Sequence, residues 1–473
     1  MNDNINDPAD TEVWIENHPF DELRVGASAT LQRTLTKSDI LLFAKVSGDV
    51  NPAHVDAVYA KTTRFGEIIA HGMLGGSLIS TVLGTEFPGP GTIYVGQTLR
   101  FLRPVHAGDT LTVTVSVASL DPVKHRAILD TRCVDQEGEL VIDGQAEVVP
   151  PTEKLRIRRT DLPDVLIADK NLRYRQLLAA AKACEPIRMA VVHPCSREAL
   201  EGAIDAARLG LIQPVLVGPV AKIRAVAAEC GIDIGSTPMV DVPHSQAAAQ
   251  KAVAMAQSGE VQSLMKGSLH TDELMAEVVA PQNGLRTGRR ISHVFVLDVP
   301  RYAKPLLVTD AAINIEPDFE AKADIVRNAI DLAHALGIAR PKVALLSALE
   351  TVTPKLRSSM DAAALCKMAE RGQINGAVLD GPLAFDNAVS AFAAGLKGIR
   401  SEVAGDADVL VVPNLEAGNM LAKQLEYLAD AQAAGVVLGA KVPIVLTSRA
   451  DTAHSRVASC AVALLVHHQA RGG

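Results

Sequence analysis

Between Ser47 and Asp56 the chain reads SGDVNPAHVD, and from Ile68 to Ser80 it reads IIAHGMLGGSLIS. Asp49 and His54 stand five positions apart on a polar loop turned by Asn51-Pro52, just ahead of a glycine-rich apolar helix. An acid and an imidazole that converge on one water can trade its protons. At His71-Gly72-Met73, where the helix begins, unsatisfied backbone amides and the helix dipole favour an oxyanion. Gly72 lets a carbonyl approach closely. Adding water across an α,β-unsaturated thioester needs these three things: a proton acceptor, a proton donor for the α-carbon, and donors for the enolate oxygen. Taken singly, the same residues also read as turn formers, a polar loop histidine and packing glycines, with His71 structural at the helix entrance.

The second half offers hydroxyls, amides and guanidiniums instead. One loop is MKGSLHTDELM, Met265 to Met275, leading to NGLRTGRRISHVFVLD at Asn283 to Asp298. Another is VVPNLEAGNMLAKQL, Val411 to Leu425. In the last, VPIVLTSRADTAHSR, Ser448-Arg449 follows an apolar strand directly. A hydroxyl and a guanidinium at a strand's carboxyl end suit an acyl phosphate, because arginine binds phosphate bidentately. Arg286, Arg289 and Arg290 read equally as a solvated charge run, and Ser448 as a helix cap. The half has no GxxxxGK[ST] loop and no dinucleotide glycine fingerprint, so nucleotide hydrolysis and NAD chemistry lack support.

Two different frameworks must position these groups. From Thr92 to Val149 period-two alternation dominates, broken by turns at Ala107-Gly108-Asp109 and Gln136-Glu137-Gly138. That pattern predicts an antiparallel sheet of long strands, with the apolar helix, about Gly72 to Leu83, buried in its curve. PPTEKLRIRRTDLPD, Pro150 to Asp164, interrupts all periodicity and reads as a linker. Beyond it short apolar runs such as RMAVVHP, QPVLVGP, KVALLSA, NGAVLDG, ADVLVVP and VPIVLTS alternate with alanine-rich helical patterns. This predicts βα units around a largely parallel sheet, with ligands beyond the strands' carboxyl ends. The expected division is 1–149, linker 150–164, and 165–473.

A chain of 473 residues exceeds one ordinary core, and 48% hydrophobic with 21% charged residues excludes a disordered class. A net charge of -8 leaves no basic footprint for nucleic acid, so anionic substrates must be met by local arginines. Six cysteines without a CxxC pair suggest free thiols rather than a disulfide framework or zinc site. The N-terminus is acidic and polar, and no apolar run approaches the ~18 residues of a membrane helix. A cytoplasmic protein is expected.

The SGDxNPxHxD run, the AHGM helix start and YVGQTLRFLRPVHAGDTL at Tyr94 to Leu111 closely resemble the MaoC-like (R)-specific enoyl-CoA hydratases of the hot-dog fold, over most of residues 25 to 148. The resemblance implies that Asp49 and His54 are the catalytic pair, that the Gly72 amide polarises the thioester carbonyl, and that Ser80 lies near the pocket. It also implies a homodimer or higher homo-oligomer.

From about residue 165 to the end the chain resembles the phosphate acetyltransferase and butyryltransferase family. The resemblance rests on HPCSREALEGAIDAARLGLIQPVLVGP, MKGSLHTDELM, GLRTGRRISHVFVLD, VTDAAINIEP, DGPLAFDNAVS, PNLEAGNMLAKQL and TSRAD. It implies two αβα lobes with a cleft between them, and exchange of CoA for phosphate at an acyl group with no metal and no bound cofactor. CoA thioesters and phosphate enter as substrates. By correspondence Ser448 and Arg449 are the pair at the cleft, and Arg286, Asn414, Asn419 and Asp451 are substrate-binding candidates. One departure stands out: the acetyl-specific enzymes carry an aspartate seven residues after that serine, and here the position is Ser455. Two readings follow, a bifunctional hydratase and acyltransferase, or a hydratase whose second half only binds acyl-CoA or organises oligomers.

Overall fold

The computed structural model describes residues 13–160, 162, 165, 172–448 and 451–472. The chain divides into two compact units, 1–167 and 168–473.

The first unit carries the strands β1 (Trp14–Glu16), β2 (Ser28–Thr34), β3 (Ile93–Phe101), β4 (Thr110–Asp121), β5 (Arg126–Val134), β6 (Leu140–Val149) and β7 (Arg156–Arg158). Strands β2-β4-β5-β6-β3 form one antiparallel sheet in that order. Alternation does what it predicts: Leu111, Val113, Val115 and Val117 of β4 and Ala127, Leu129 and Cys133 of β5 are buried on one face. Against that face lie Leu74, Leu78 and Ile79 of the helix Gly72–Thr81, so helix and sheet share one apolar core. β3 and β6 approach closely at Gly144, where a Cβ would fall 1.8 Å from the Thr98 carbonyl oxygen, so only glycine fits.

The structure corrects the first half of the expected linker. β7 pairs antiparallel with β1, matching Ile15 to Ile157. Asn17, fully buried, fixes the return: its Nδ2 donates to the Pro90 and Glu153 carbonyls at 3.0 and 2.9 Å, and its Oδ1 accepts from the Leu155 amide at 2.8 Å. The segment lacks hydrophobic periodicity because one buried asparagine and a three-residue ladder hold it, and neither leaves an apolar pattern.

The second unit contains β8 (Ile187–Val192), β9 (Ile212–Gly218), β10 (Met239–Asp241), β11 (Ser263–Lys266), β12 (Ser292–Asp298), β13 (Leu306–Thr309), β14 (Lys342–Leu346), β15 (Val378–Leu383), β16 (Val409–Val411), β17 (Gln432–Leu438) and β18 (Ile444–Val445). They form one sheet, ordered β10-β9-β8-β11-β18-β17-β12-β13-β16-β14-β15. The first five in that order are mutually parallel, as are the last four. These are the two expected lobes, with helices on both faces.

Between the lobes the largely parallel expectation fails. β12 runs antiparallel to both β17 and β13, and β17 antiparallel to β18. The connections at residues 299–305 and 439–443 are too short for a crossover, which needs about a dozen residues or more, so each makes a hairpin. Following the directions across this junction, the two parallel groups point opposite ways, and their carboxyl ends lie at opposite edges of the sheet.

Candidate active sites

In the first unit a relay of caps sets the geometry. Helix α1 (Lys37–Ser47) opens with a capping box between Thr36 and Asp39 and ends at Gly48, whose φ of 76° a side chain would resist. That left-handed residue turns the chain out to Asp49, whose carboxylate accepts the Asn51 amide at 3.1 Å. Asn51 in turn caps α2 (Pro52–Val55), with Pro52 at its first position and His54 on its third. Asp56 caps α3 (Ala57–Thr62). α4 (Gly72–Thr81) follows with His71 as its N-cap residue, and no side chain caps it. The expected helix therefore stops at Thr81 and gives way to a wider turn over Val82–Glu86.

Asp49 and His54 are brought together. His54 Nδ1 lies 2.8 Å from the Ile69 carbonyl oxygen. A carbonyl can only accept, so Nδ1 carries the hydrogen and, in the neutral ring, Nε2 is left as a lone pair. Asp49 is exposed and His54 half-buried, and both line a cavity of about 630 Å³ together with Gly72 and Arg64. Phe43, Leu111, Val141 and Ile142 line it as well, making part of its wall apolar. A Cβ at Gly72 would meet the Phe101 ring at 2.9 Å, so the glycine also lets this wall close on the helix start. Ser80, expected near the pocket, is exposed two turns further along α4 and does not line this cavity.

Asp49, His54 and His71 also present nitrogen and oxygen atoms within 4.8 Å of one another. The two imidazoles are tilted at 33° with centroids 3.9 Å apart, and each engages a backbone carbonyl through one ring nitrogen. The grouping suits proton transfer better than coordination.

The second unit separates what its sequence suggested together. Ser448 lies three residues beyond β18, and Asp451 turns back so that its Oδ2 accepts the Ser448 amide at 2.8 Å. Burial pushes the Asp451 carboxyl up, eased by that amide and by Lys423, whose Nζ stands 3.9 Å from Oδ1. Asn414 and Asn419 sit beyond β16, toward the opposite edge. Asn414 caps helix Leu415–Leu428 and its Nδ2 donates to Glu316, while Asn419 donates to the Ala311 carbonyl at 3.2 Å. The same helix joins the two places, since Lys423 is four residues after Asn419 on the same face.

Arg286 bridges to Ala440, ahead of β18, and so stands at the end of that strand away from Ser448. It lines a separate cleft of about 530 Å³ with Arg290, Asn314 and Asp324. Arg449 falls outside the described residues. Ser455 is half-buried, with its hydroxyl 3.4 Å from Thr452 Oγ1.

Sequence reasoning missed the support beneath Ser448. Arg456, 1% exposed, donates to Thr447 Oγ1 at 2.6 Å, the Ser448 carbonyl at 2.9 Å and the Lys266 carbonyl at 3.3 Å. Burial lowers its affinity for the proton, and Asp451 and Glu198 offset part of that. Buried Lys266 donates to the Thr447 carbonyl at 3.2 Å. A Cβ at Gly202 would fall 2.7 Å from Arg456 Cβ, so the neighbouring helix carries glycine where the arginine lies. The signal was present: a lysine ending the apolar run SLMK, and an arginine within AHSRVASCAVALL.

Among the described residues no helix is long and apolar enough to cross a membrane. The family of phosphate acetyl/butaryl transferases matches residues 243–464, and the MaoC-like domain matches residues 24–135. A phosphate acetyltransferase of Rhizobium meliloti is 64% identical over 293 residues, 62% of this chain and 93% of that protein. A branched-chain phosphotransacylase of Enterococcus faecalis is 32% identical, with a TM-score of 0.53 over 60% of this chain and 99% of its own. An R-hydratase of Pseudomonas aeruginosa is 50% identical over 33% of this chain and 99% of its own, with a TM-score of 0.32. The chain thus belongs to the phosphate acetyl/butyryltransferase family and carries a MaoC-like hot-dog domain ahead of the transferase unit.

Proposed function

We propose that the chain is a bifunctional enzyme that hydrates trans-2-enoyl-CoA to (3R)-hydroxyacyl-CoA in its first unit and transfers an acyl group reversibly between CoA and phosphate in its second. The observation that carries the first half is the tautomer of His54. With Nδ1–H held by Ile69, Nε2 faces the reaction as the base, beside the Asp49 carboxylate and at the cavity that Gly72 lines. His54 Nε2 takes a proton from the water as its oxygen bonds to the β-carbon. The electron pair of the double bond moves onto the thioester oxygen, where the amides opening α4 receive it. The His54 imidazolium so formed returns that proton to the α-carbon while the Asp49 carboxylate orients the water, so one water is added and no group leaves.

The family match over the second unit supports the acyltransferase half. There the thiolate of CoA attacks the carbonyl of an acyl phosphate and phosphate leaves, or the reverse. Ser448 and Arg449 would hold the phosphate. CoA thioesters and phosphate are substrates, and no resident cofactor enters either reaction. A homodimer or larger homo-oligomer working in the cytoplasm completes the reading.

Ser455 favours a second reading, in which the transferase unit binds acyl-CoA without turning it over, because a hydroxyl cannot replace the carboxylate as a base. One pair of assays separates the two. Loss of the enoyl absorbance of crotonyl-CoA, with chiral analysis of the product, tests the first unit. Phosphate-dependent release of the CoA thiol from acetyl-CoA and butyryl-CoA tests the second. Binding of both thioesters without thiol release would establish the second reading.

A further inference from the structure

His71 contacts both members of the acid–base pair. The residue is 3% exposed, and its ring lies against His54 with centroids 3.9 Å apart and planes tilted by 33°, and 5.1 Å from the Phe43 ring. Its Nε2 is 3.0 Å from the backbone oxygen of Asp49, and since a carbonyl only accepts, Nε2 carries the hydrogen. Its Nδ1 is buried with no hydrogen-bond partner, so the ring is held by one directed bond and by its contacts with the His54 and Phe43 rings rather than by a network. In sequence it directly precedes Gly72 and follows by two residues Ile69, the carbonyl that sets the His54 tautomer.

These contacts have one common effect. The Asp49 loop, the His54 ring and the first amide of α4 belong to three separate pieces of chain. Asp49 is exposed, with its carboxylate tied only to the nearby Asn51 amide among the described residues, so its loop needs an outside anchor. Resting on the hydratase assignment, we infer that His71 is a positioning residue for hydration: its Nε2–H pins the Asp49 backbone while its ring fixes His54, and together they register the acid–base pair to the amide of Gly72. A displacement of about 1 Å in such a pair costs about 10²-fold in rate, which makes the residue kinetically visible although it touches no substrate.

Two variants of the full chain test this. His71→Phe keeps an aromatic ring and removes the N–H, whereas His71→Gln restores an N–H at similar reach without the ring. His71→Phe is expected to lower kcat for crotonyl-CoA by about 10²-fold with KM changed by less than about threefold, and His71→Gln to recover about tenfold of that loss. Hydrogen exchange supplies a readout independent of turnover: amides 48–56 should exchange faster in His71→Phe while β4 and β5 keep their protection. A His71→Phe kcat within about threefold of the parent, equal kcat in both variants, or loss of protection across the whole sheet would each overturn the inference. If the parent chain itself fails to hydrate crotonyl-CoA, the hydratase reading falls, and the exchange pattern alone still decides whether His71 anchors the loop.

Discussion

The two units build their sites by opposite routes. In the first, Asp49, His54, His71 and Gly72 lie within one stretch of 24 residues, and caps, a proline and a left-handed glycine place them. In the second, the groups around Ser448 come from β11, from helix Leu415–Leu428 and from the start of the last helix, held by a buried arginine and lysine. A locally encoded site can be read as a motif. A site assembled across a sheet depends on strand direction, which no motif contains.

The largest effect should come from the local site. Asp49→Asn or His54→Ala is expected to slow hydration of crotonyl-CoA by about 10²- to 10⁴-fold. Phosphate-dependent thiol release should stay within about twofold, because the units are separate compact bodies. Steady-state rates of both reactions on each variant check this, and a parallel fall in both would break the comparison.

The assembled site should instead be sensitive through its support. Arg456→Met leaves the Thr447 hydroxyl and the Lys266 and Ser448 carbonyls without this donor and should destabilise the second unit by about 3 kcal/mol. Thermal unfolding followed by calorimetry should show the transferase transition moved down and the hydratase transition in place. An unshifted transition would mean that Arg456 does not hold the loop.

Asn17→Ala asks the same of the first unit. It removes three hydrogen bonds that hold the returning segment and should cost about 2 kcal/mol in urea unfolding of residues 13–160. A chain ending at 149 should show a comparable deficit even without the substitution. Equal stability of the two lengths would return residues 150–158 to the linker.

The smallest effect is a pH dependence in the second unit. Burial raises the Asp451 carboxyl above its ordinary value, so the folded state favours the protonated acid. Its contribution to stability is full below the unfolded value of about 3.9 and is lost as pH rises through the folded one. The second unit should therefore lose some stability from this group as pH rises above about 4, and Asp451→Asn should flatten that slope in denaturant titrations. An unchanged slope would mean that solvent or Lys423 already compensates the carboxylate.

Much of the fold is legible in the sequence. Alternation along β4 and β5 marked the buried face, and the Asp49 to Gly72 stretch marked a cavity wall. Residues 150–158 carry no periodic pattern because Asn17 and a three-residue ladder hold them through polar contacts to the backbone. Family correspondence names Arg286, Asn414 and Asn419 beside Ser448 without saying where each stands, and strand direction puts them toward the other end of the sheet.

By itself the sequence determined what local interactions decide: which faces are apolar, where helices start and stop, and that an acid, an imidazole and a free helix start adjoin. Side-chain period, caps and turns act within a few residues, so they survive in a linear reading. Only the tertiary structure decided that His54 presents Nε2, that His71 reaches back to Asp49, and that Arg456 lies beneath Ser448. Each of these is a directed hydrogen bond between residues whose neighbourhood exists only after the chain has folded, because a donor's angle and its burial are set by packing and not by its position along the chain.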